Sequence, residues 1–484
     1  MKAGGLSVTL IESPEIRTIG VGEGTWPTLR ASLERMGIAE TALFRECDAA
    51  FKQGGRFVGW TTGGEGDSYY HPLMLPQGFS RVNLVPHWLA QGRGASFCDF
   101  VTPQGRLCDQ GLAPKTITQG EYRAVANYAY HLDAGKFGAF LAKHCTDRLG
   151  VRHVLADVER IDQDEHGDIV SLATSQAGAI RGDLFVDCSG FSALLIGKTL
   201  GVGFKECGDI LFCDTALAVQ VPYATPDAPM PSQTIATAQD AGWIWDICLP
   251  TRRGVGYVYS SRHTSEEAAQ QTLLRYIGPQ HKDRPVRKIP IRAGHRASFW
   301  KNNCLAVGLA QGFLEPLEAS AIVLVELSAK LLAEQMPACR EVMDIVARRF
   351  NEVTAYRWGR IIDFLKLHYV LTRRTDTAFW RDNVDPATVP ARLQDMLALW
   401  KYQSPWFFDE LDRLEEVFPA ASYQYVLYGM GFRTEVVPED RVDSAADAAR
   451  LVQENARLSA ELCARLPRNR ELLEKIYQYG LQPV

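Results

Sequence analysis

Apolar positions recur along this chain in two rhythms, a period of two and a helical period, and their order sets the predicted architecture. The run Leu6-Ser-Val-Thr-Leu-Ile-Glu12 is short, apolar and ends in an acid, which predicts a β-strand. Leu29, Leu33 and Met36 fall at helical spacing, and residues 51–60 then read as extended with glycine breaks at Gly54-Gly55. Gly63-Gly64-Glu-Gly66 predicts a loop. Residues 137–145 predict a helix, Arg152-His-Val-Leu-Ala-Asp-Val158 a strand and His166-Gly167 a turn. Leu184-Phe-Val-Asp187 predicts a strand ending in Cys188-Ser-Gly190, a transition of the kind that sits near a nucleotide in α/β sheets. Residues 217–221 and 243–249 predict further sheet, with Tyr257-Val-Tyr259 answering across Thr251-Arg-Arg-Gly254 as a hairpin. Residues 303–308 read as a buried strand and 319–334 as a long helix, and beyond Cys339 the pattern is almost wholly helical. The expected fold class is therefore α/β (α+β), with a mixed-sheet unit over residues 1–370 and a mainly helical unit over 371–484.

Composition narrows the partners. At 484 residues and 46% apolar content the chain can bury a large core. A formal net charge of -5 argues against nucleic acid or an anionic membrane as partner, and points to small molecules. The apolar stretches are too short to cross a bilayer and no signal-peptide layout opens the chain, which predicts a cytoplasmic protein. The 11 cysteines include no C-x-x-C pair, so reduced thiols and no metal site are expected.

The strand ending at Glu12 has the form of the second strand of a dinucleotide-binding βαβ unit, in which the acid holds the adenosine ribose. The glycine-rich phosphate loop of that unit lies about 20 residues before the acid, but only eleven residues precede Glu12. The first strand and phosphate loop are therefore expected to be missing. Gly20-Val-Gly22-Glu-Gly24 comes after the acid and runs into Trp26-Pro27, so it is not the fingerprint.

Three motifs carry candidate chemistry. Lys52 sits between Phe51 and Gln53-Gly-Gly55; apolar neighbours can activate a lysine by desolvation, although alone it reads as a surface lysine snorkelling over the core. In Trp243-Ile-Trp245-Asp-Ile247 a strand would turn two indoles and an isoleucine to one side, as a cavity wall or simply as core. Gly312-Phe-Leu-Glu-Pro-Leu-Glu318-Ala-Ser-Ala321 leads into the long helix, whose unpaired N–H groups form an anion site. There Glu318 alone is also a routine helix-start stabiliser.

Taken together and in this order, with Tyr128-Ala-Tyr-His-Leu-Asp133, Asp187-Cys-Ser-Gly-Phe191, Gly308-Leu-Ala-Gln-Gly312 and Trp358 before His368-Tyr369, these motifs resemble the flavin-dependent halogenases of the tryptophan halogenase family. The resemblance runs from Ser7 to at least Asp382. It implies an FAD-binding, flavin-monooxygenase-like mixed-sheet domain with a helical C-terminal unit capping the substrate pocket. It further implies FADH2 from a separate NAD(P)H:flavin reductase, O2, and chloride or bromide, which together yield hypohalous acid. Lys52 would aim the electrophile and Glu318 would stabilise the cationic ring and help remove its proton. The halide would lie on the backbone of Ser320 and Ala321, and FAD against Glu12, Gly22, Glu23, Val158, Leu309 and Ile322. Trp243 and Trp245 match the tryptophans of the W-x-W-x-I-P signature, a wall between flavin and substrate. The substrate would be a small electron-rich aromatic of indole type, with Tyr69, Tyr70, Trp88, Phe407 and Phe408 as candidate pocket aromatics. Cys248 departs from the signature proline, and Ala319 from a serine usual after the carboxylate. The competing readings are an aromatic monooxygenase of related fold and an inactive truncated FAD-family protein.

Overall fold

Strand β1 (Thr9–Glu12) alternates half-buried and exposed side chains, as a strand with one covered face does, and a two-residue strand β2 (Glu23–Gly24) follows. The computed structural model describes residues 5–16, 23–92, 94–407, 416–435 and 444–483. Helix α1 (Thr28–Arg35) buries Leu29 and Leu33, and α2 (Glu40–Cys47) buries Leu43, Phe44 and Cys47. The extended stretch after it divides into β3 (Ala50–Lys52) and β4 (Gly54–Val58). The break falls at Gly54, whose φ of +149° suits glycine and where a Cβ would lie 2.5 Å from the His71 carbonyl oxygen. Strand β5 (Ser68–Pro72) pairs antiparallel with β4.

Strand β6 (Ala129–Leu132) is the centre of a three-stranded antiparallel sheet between β2 and β3. Helix α3 (Ala134–Leu149) starts at Asp133, whose carboxylate accepts the Lys136 N–H, and ends at Gly150 in a left-handed conformation. Strand β7 (Arg152–Leu155) runs parallel to β1. The predicted strand 152–158 is thus two elements: the Ala156 N–H still meets the Glu12 carbonyl at the end of the pairing with β1, and a separate strand, Val158–Gln163, pairs elsewhere. Among the described residues β1 pairs only with β7, and Leu6, Val8 and Leu10 are exposed beside it.

Strand β8 (Phe185–Asp187) ends at the predicted loop. Strands β9 (Thr215–Pro222), β10 (Thr234–Gln239), β11 (Gly242–Cys248), β12 (Arg252–Tyr259) and β13 (Arg287–Pro290) join β4 and β5 in a seven-stranded sheet of order β13-β9-β12-β11-β10-β4-β5. The predicted hairpin forms between β11 and β12, but its turn is shorter than expected: Arg252 already opens β12, and Gly254, placed in the turn by the sequence, pairs with Ile247. Strand β14 (Cys304–Ala306) lies parallel to β8. Helices α4 (Ser320–Glu334), α5 (Arg340–Val370), α6 (Ala420–Gly429), α7 (Ala445–Arg465) and α8 (Asn469–Tyr479) complete the mixed α/β architecture. One apolar cluster runs from Phe57 on the large sheet through Phe364 and Leu365 to Val426 and Leu451, so α6 and the start of α7 share its core, while α8 packs with Phe44 and Phe51 in another. No described helix is long and apolar enough to cross a membrane.

A buried ionic node braces the layer under β3. Glu40 accepts the Tyr128 and Tyr130 hydroxyls at 2.5 and 2.7 Å, the Tyr122 N–H at 2.7 Å and the Lys115 ammonium at 3.2 Å, with both charged side chains fully buried. Removing one member of such a pair strands the other without water. Glu40→Ala is expected to destabilise the protein by about 3–5 kcal/mol, read as a lowered urea midpoint at unchanged slope.

Candidate active site

Alternation along β3 sends Phe51 down onto Phe44 and Tyr128 and Lys52 to the opposite side. Lys52 is 6% exposed, and its ammonium donates to the Thr25 carbonyl at 3.0 Å. Burial lowers its pKa to about 8, against a partial upward pull from the charge of Glu318. Gly24 makes this closeness fit: a Cβ there would lie 3.3 Å from Lys52 Nζ and 3.3 Å from the Ala319 Cβ. The start of the chain, the lysine strand and the start of α4 meet at that point.

Glu318 ends the loop before α4. Ala319 adopts a left-handed φ of +54°, and Ser320 resumes the right-handed helix. A left-handed residue followed by right-handed ones gathers successive backbone N–H groups into an anion nest, here at the positive end of a helix. The Glu318 carbonyl accepts the Trp26 indole N–H at 2.8 Å. Both carboxylate oxygens lie 3.0 Å from His71 Nδ1, on β5. His368 Nε2, in the last turn of α5, approaches Oε1 to 3.1 Å without hydrogen-bond alignment. Behind the imidazoles, His71 Nε2 meets Ser422 Oγ at 2.9 Å and His368 Nδ1 meets the Tyr69 hydroxyl at 2.6 Å. Burial pushes the Glu318 carboxyl up, but the two imidazoles around it, His71 first, prevail and hold it well below the usual range. Burial lowers His368, with Glu318 pulling the other way.

Lys52 and Glu318 line one cavity of about 660 Å³. Glu23, Leu309, Ser320, Ala321, Ile322 and Trp245 line it as well. Burial raises the Glu23 carboxyl to about 7. Trp245 and Ile247 face the cavity, and the Trp245 ring fits only because residue 256 is glycine, where a Cβ would lie 2.1 Å from it. Trp243, on the same face of β11, does not line the cavity. Its indole N–H donates to Glu315 Oε2 at 2.7 Å, and the Tyr369 hydroxyl donates to the same oxygen at 2.6 Å.

Other expected positions fall elsewhere. Glu12 is half exposed and meets His153 at 2.8 Å, and Val158 opens a partly buried strand; neither lines the cavity. Gly22 and Phe408 lie outside the described residues. Of the candidate pocket aromatics, Tyr69 bonds to His368, Tyr70 to Asp109, and Trp88 packs on Phe97 and Tyr428. The aromatic lining instead includes Trp26, Phe57, Phe313, Trp358, Phe418 and Tyr425. Sequence reading missed His71 and Ser422. For His71 a signal existed, since Tyr69 and His71 share one face of Ser68–Pro72. Ser422 had none, because only packing brings its element to Glu318.

A buried lysine and a clamped carboxylate on the wall of one apolar cavity, held on a mixed-sheet α/β scaffold, define an enzyme site for a small molecule. The sequence profile of the tryptophan halogenase family matches residues 1–447. A tryptophan halogenase from Shewanella frigidimarina NCIMB 400, known as a crystal structure, is 47% identical with a TM-score of 0.97, over 99% of this chain and 92% of that one. Tryptophan 6-halogenase SttH from Streptomyces toxytricini is 34% identical over 453 residues, 88% of this chain and 84% of its own length. The flavin-dependent halogenase BrvH from Brevundimonas sp. BAL3 is 34% identical with a TM-score of 0.86, over 98% of this chain and 94% of that one. This chain belongs to the tryptophan halogenase family, and it is an enzyme of the flavin-dependent halogenase kind.

Proposed function

We propose that this protein chlorinates or brominates an electron-rich, indole-type aromatic, with Lys52 relaying hypohalous acid and Glu318 receiving the ring proton. The observation that carries this reading is the convergence of a desolvated lysine and an ionised carboxylate on one cavity, with Gly24 leaving room for the lysine ammonium and the Ala319 methyl beside the carboxylate. In the net reaction an aromatic C–H and hypohalous acid give a C–halogen bond and water. Neutral Lys52 can accept the halogen from oxygen and hold it close to the ring, which replaces diffusion by position. The fixed negative charge of Glu318 stabilises the cation that the ring becomes, in a cavity where water screens little.

The lining also fits a flavin. Gly308 has a φ of +65° and a Cβ there would meet only Val325 at 3.6 Å, so backbone lies open beside Leu309, Phe313 and Ile322, a slot suited to a flat heterocycle. FADH2 held there would supply, with O2, the oxidation of halide to hypohalous acid. Glu23, Leu309 and Ile322 would hold its ring end, and Glu12, Gly22 and Val158 the adenosine end. The nest at Ser320 and Ala321 suits the halide, and Trp243 with Trp245 would part flavin from substrate. Residues 371–484 act in this reading as the cap of the 1–370 core, since Phe418, Ser422 and Tyr425 line the cavity. A separate reductase would supply FADH2, in the cytoplasm.

The test is product mass after incubation with FAD, a flavin reductase, NADH and indole, with bromide present or omitted. Bromide-dependent brominated indole is expected. Hydroxylated indole would identify a monooxygenase instead, and no flavin binding would identify an inactive member of the fold. Gly24→Ala adds a check on placement: its methyl would crowd Lys52 Nζ, and kcat/KM is expected to fall about 10- to 100-fold with flavin binding retained.

A further inference from the structure

Glu318 is held by two imidazoles, and each imidazole has a hydroxyl behind it. We propose that Ser422 and Tyr69 are positioning residues that fix the His71 and His368 tautomers presenting N–H to Glu318, and that the Ser422–His71 arm ties the aim of this carboxylate to the seating of helix α6. The inference rests on the halogenase reading.

A neutral imidazole carries one N–H and one bare nitrogen, and the partner of the bare nitrogen selects the tautomer. An ionised carboxylate accepts only, so the nitrogen facing it must carry hydrogen; the reverse tautomer would set a lone pair against Glu318 at 3.0 Å. For His71 the proton then sits on Nδ1, leaving Nε2 to accept from Ser422 Oγ at 2.9 Å. For His368 it sits on Nε2, leaving Nδ1 to accept the Tyr69 hydroxyl at 2.6 Å. Burial keeps that phenol protonated.

The two arms differ in what they connect. Tyr69 and His71 share β5, so the Tyr69–His368 arm joins that strand to α5 inside the core. Ser422 lies in the first turn of α6, and Ala421, Ser422 and Tyr425 of this helix line the cavity. His71 is also the imidazole in hydrogen-bond alignment with the carboxylate, spanning both oxygens, whereas His368 is close but misaligned. A shift of α6 that stretches the Ser422 contact frees the His71 tautomer and lets the carboxylate swing. Catalysis is steep in such placement.

Ser422→Ala is the direct test. Turnover of indole is expected to fall about 10-fold with KM nearly unchanged. The deuterium isotope effect from ring-deuterated indole, near unity in the parent protein, should rise clearly above it as proton removal becomes slow. Ser422→Thr, which keeps the hydroxyl, should restore both. Unchanged turnover and isotope effect in Ser422→Ala would overturn the proposal. If the parent protein makes no halogenated product, the functional reading fails instead. Imidazole 15N shifts still decide the tautomers in that case: a single Nδ1–H form of His71 that becomes mixed in Ser422→Ala supports the arm, and a form indifferent to the substitution refutes it.

Discussion

Lys52→Ala will abolish halogenation, lowering kcat/KM by at least about 100-fold, while the protein still binds flavin. The side chain is buried, and among the described residues nothing else that lines the cavity carries a primary amine. Lys52→Arg is expected to be equally inactive, because a guanidinium keeps its proton throughout the working range, and this separates a need for charge from a need for the free amine. The pH profile follows from the same burial. A pKa of 10.5 leaves roughly 0.03% of a lysine neutral at pH 7, and one of about 8 leaves roughly 10%, a gain of about 300-fold. A lowered pKa moves the neutral form to lower pH, so kcat/KM for halogenation should climb toward pH 8 and level off above it. A rate that falls as pH passes 8 would assign the ammonium form, and hydrogen-bond donation, as the working state.

Glu318→Gln should lower kcat by about 100- to 1,000-fold and leave KM for indole nearly unchanged, since the charge acts on the cationic intermediate rather than on the neutral substrate. The amide keeps shape and one acceptor for His71, so folding at neutral pH should survive. The same residue leaves a mark on stability. Its carboxyl titrates below the usual 4.5 when folded, so its contribution is complete above about pH 4.5 and is lost as pH falls toward the lower folded value. Acid unfolding of the parent should therefore steepen below pH 4.5, and Glu318→Gln should remove part of that slope. Denaturant midpoints measured between pH 3 and 7 for both proteins check this.

The local content of the sequence carried far. Alternation placed Phe51 and Lys52 on opposite sides of a strand, and helical spacing picked Leu29 and Leu33 as buried. The apolar run that opens at Trp243 became the fully buried strand Gly242–Cys248, paired in a hairpin with the expected Tyr257–Tyr259 strand, though the turn falls before Arg252 rather than at Thr251–Gly254. These are consequences of backbone geometry, which acts over a few residues and is written in neighbouring side chains. The limits came from partners distant in sequence: the Arg152–Val158 run is divided because its first part pairs with Thr9–Glu12 and Val158 pairs with Thr174.

By itself, then, the sequence determined the elements, the class of fold and, through motif resemblance, the lysine and the glutamate. Only tertiary packing decided what those two residues are. A lysine beside a phenylalanine is ordinary until Gly24 leaves space for its ammonium and burial lowers its pKa. A glutamate at a helix start is ordinary until β5, α5 and α6 bring His71, His368 and Ser422 around it. Desolvation and charge pairing depend on which surfaces meet in space, and no spacing along one strand or helix encodes that.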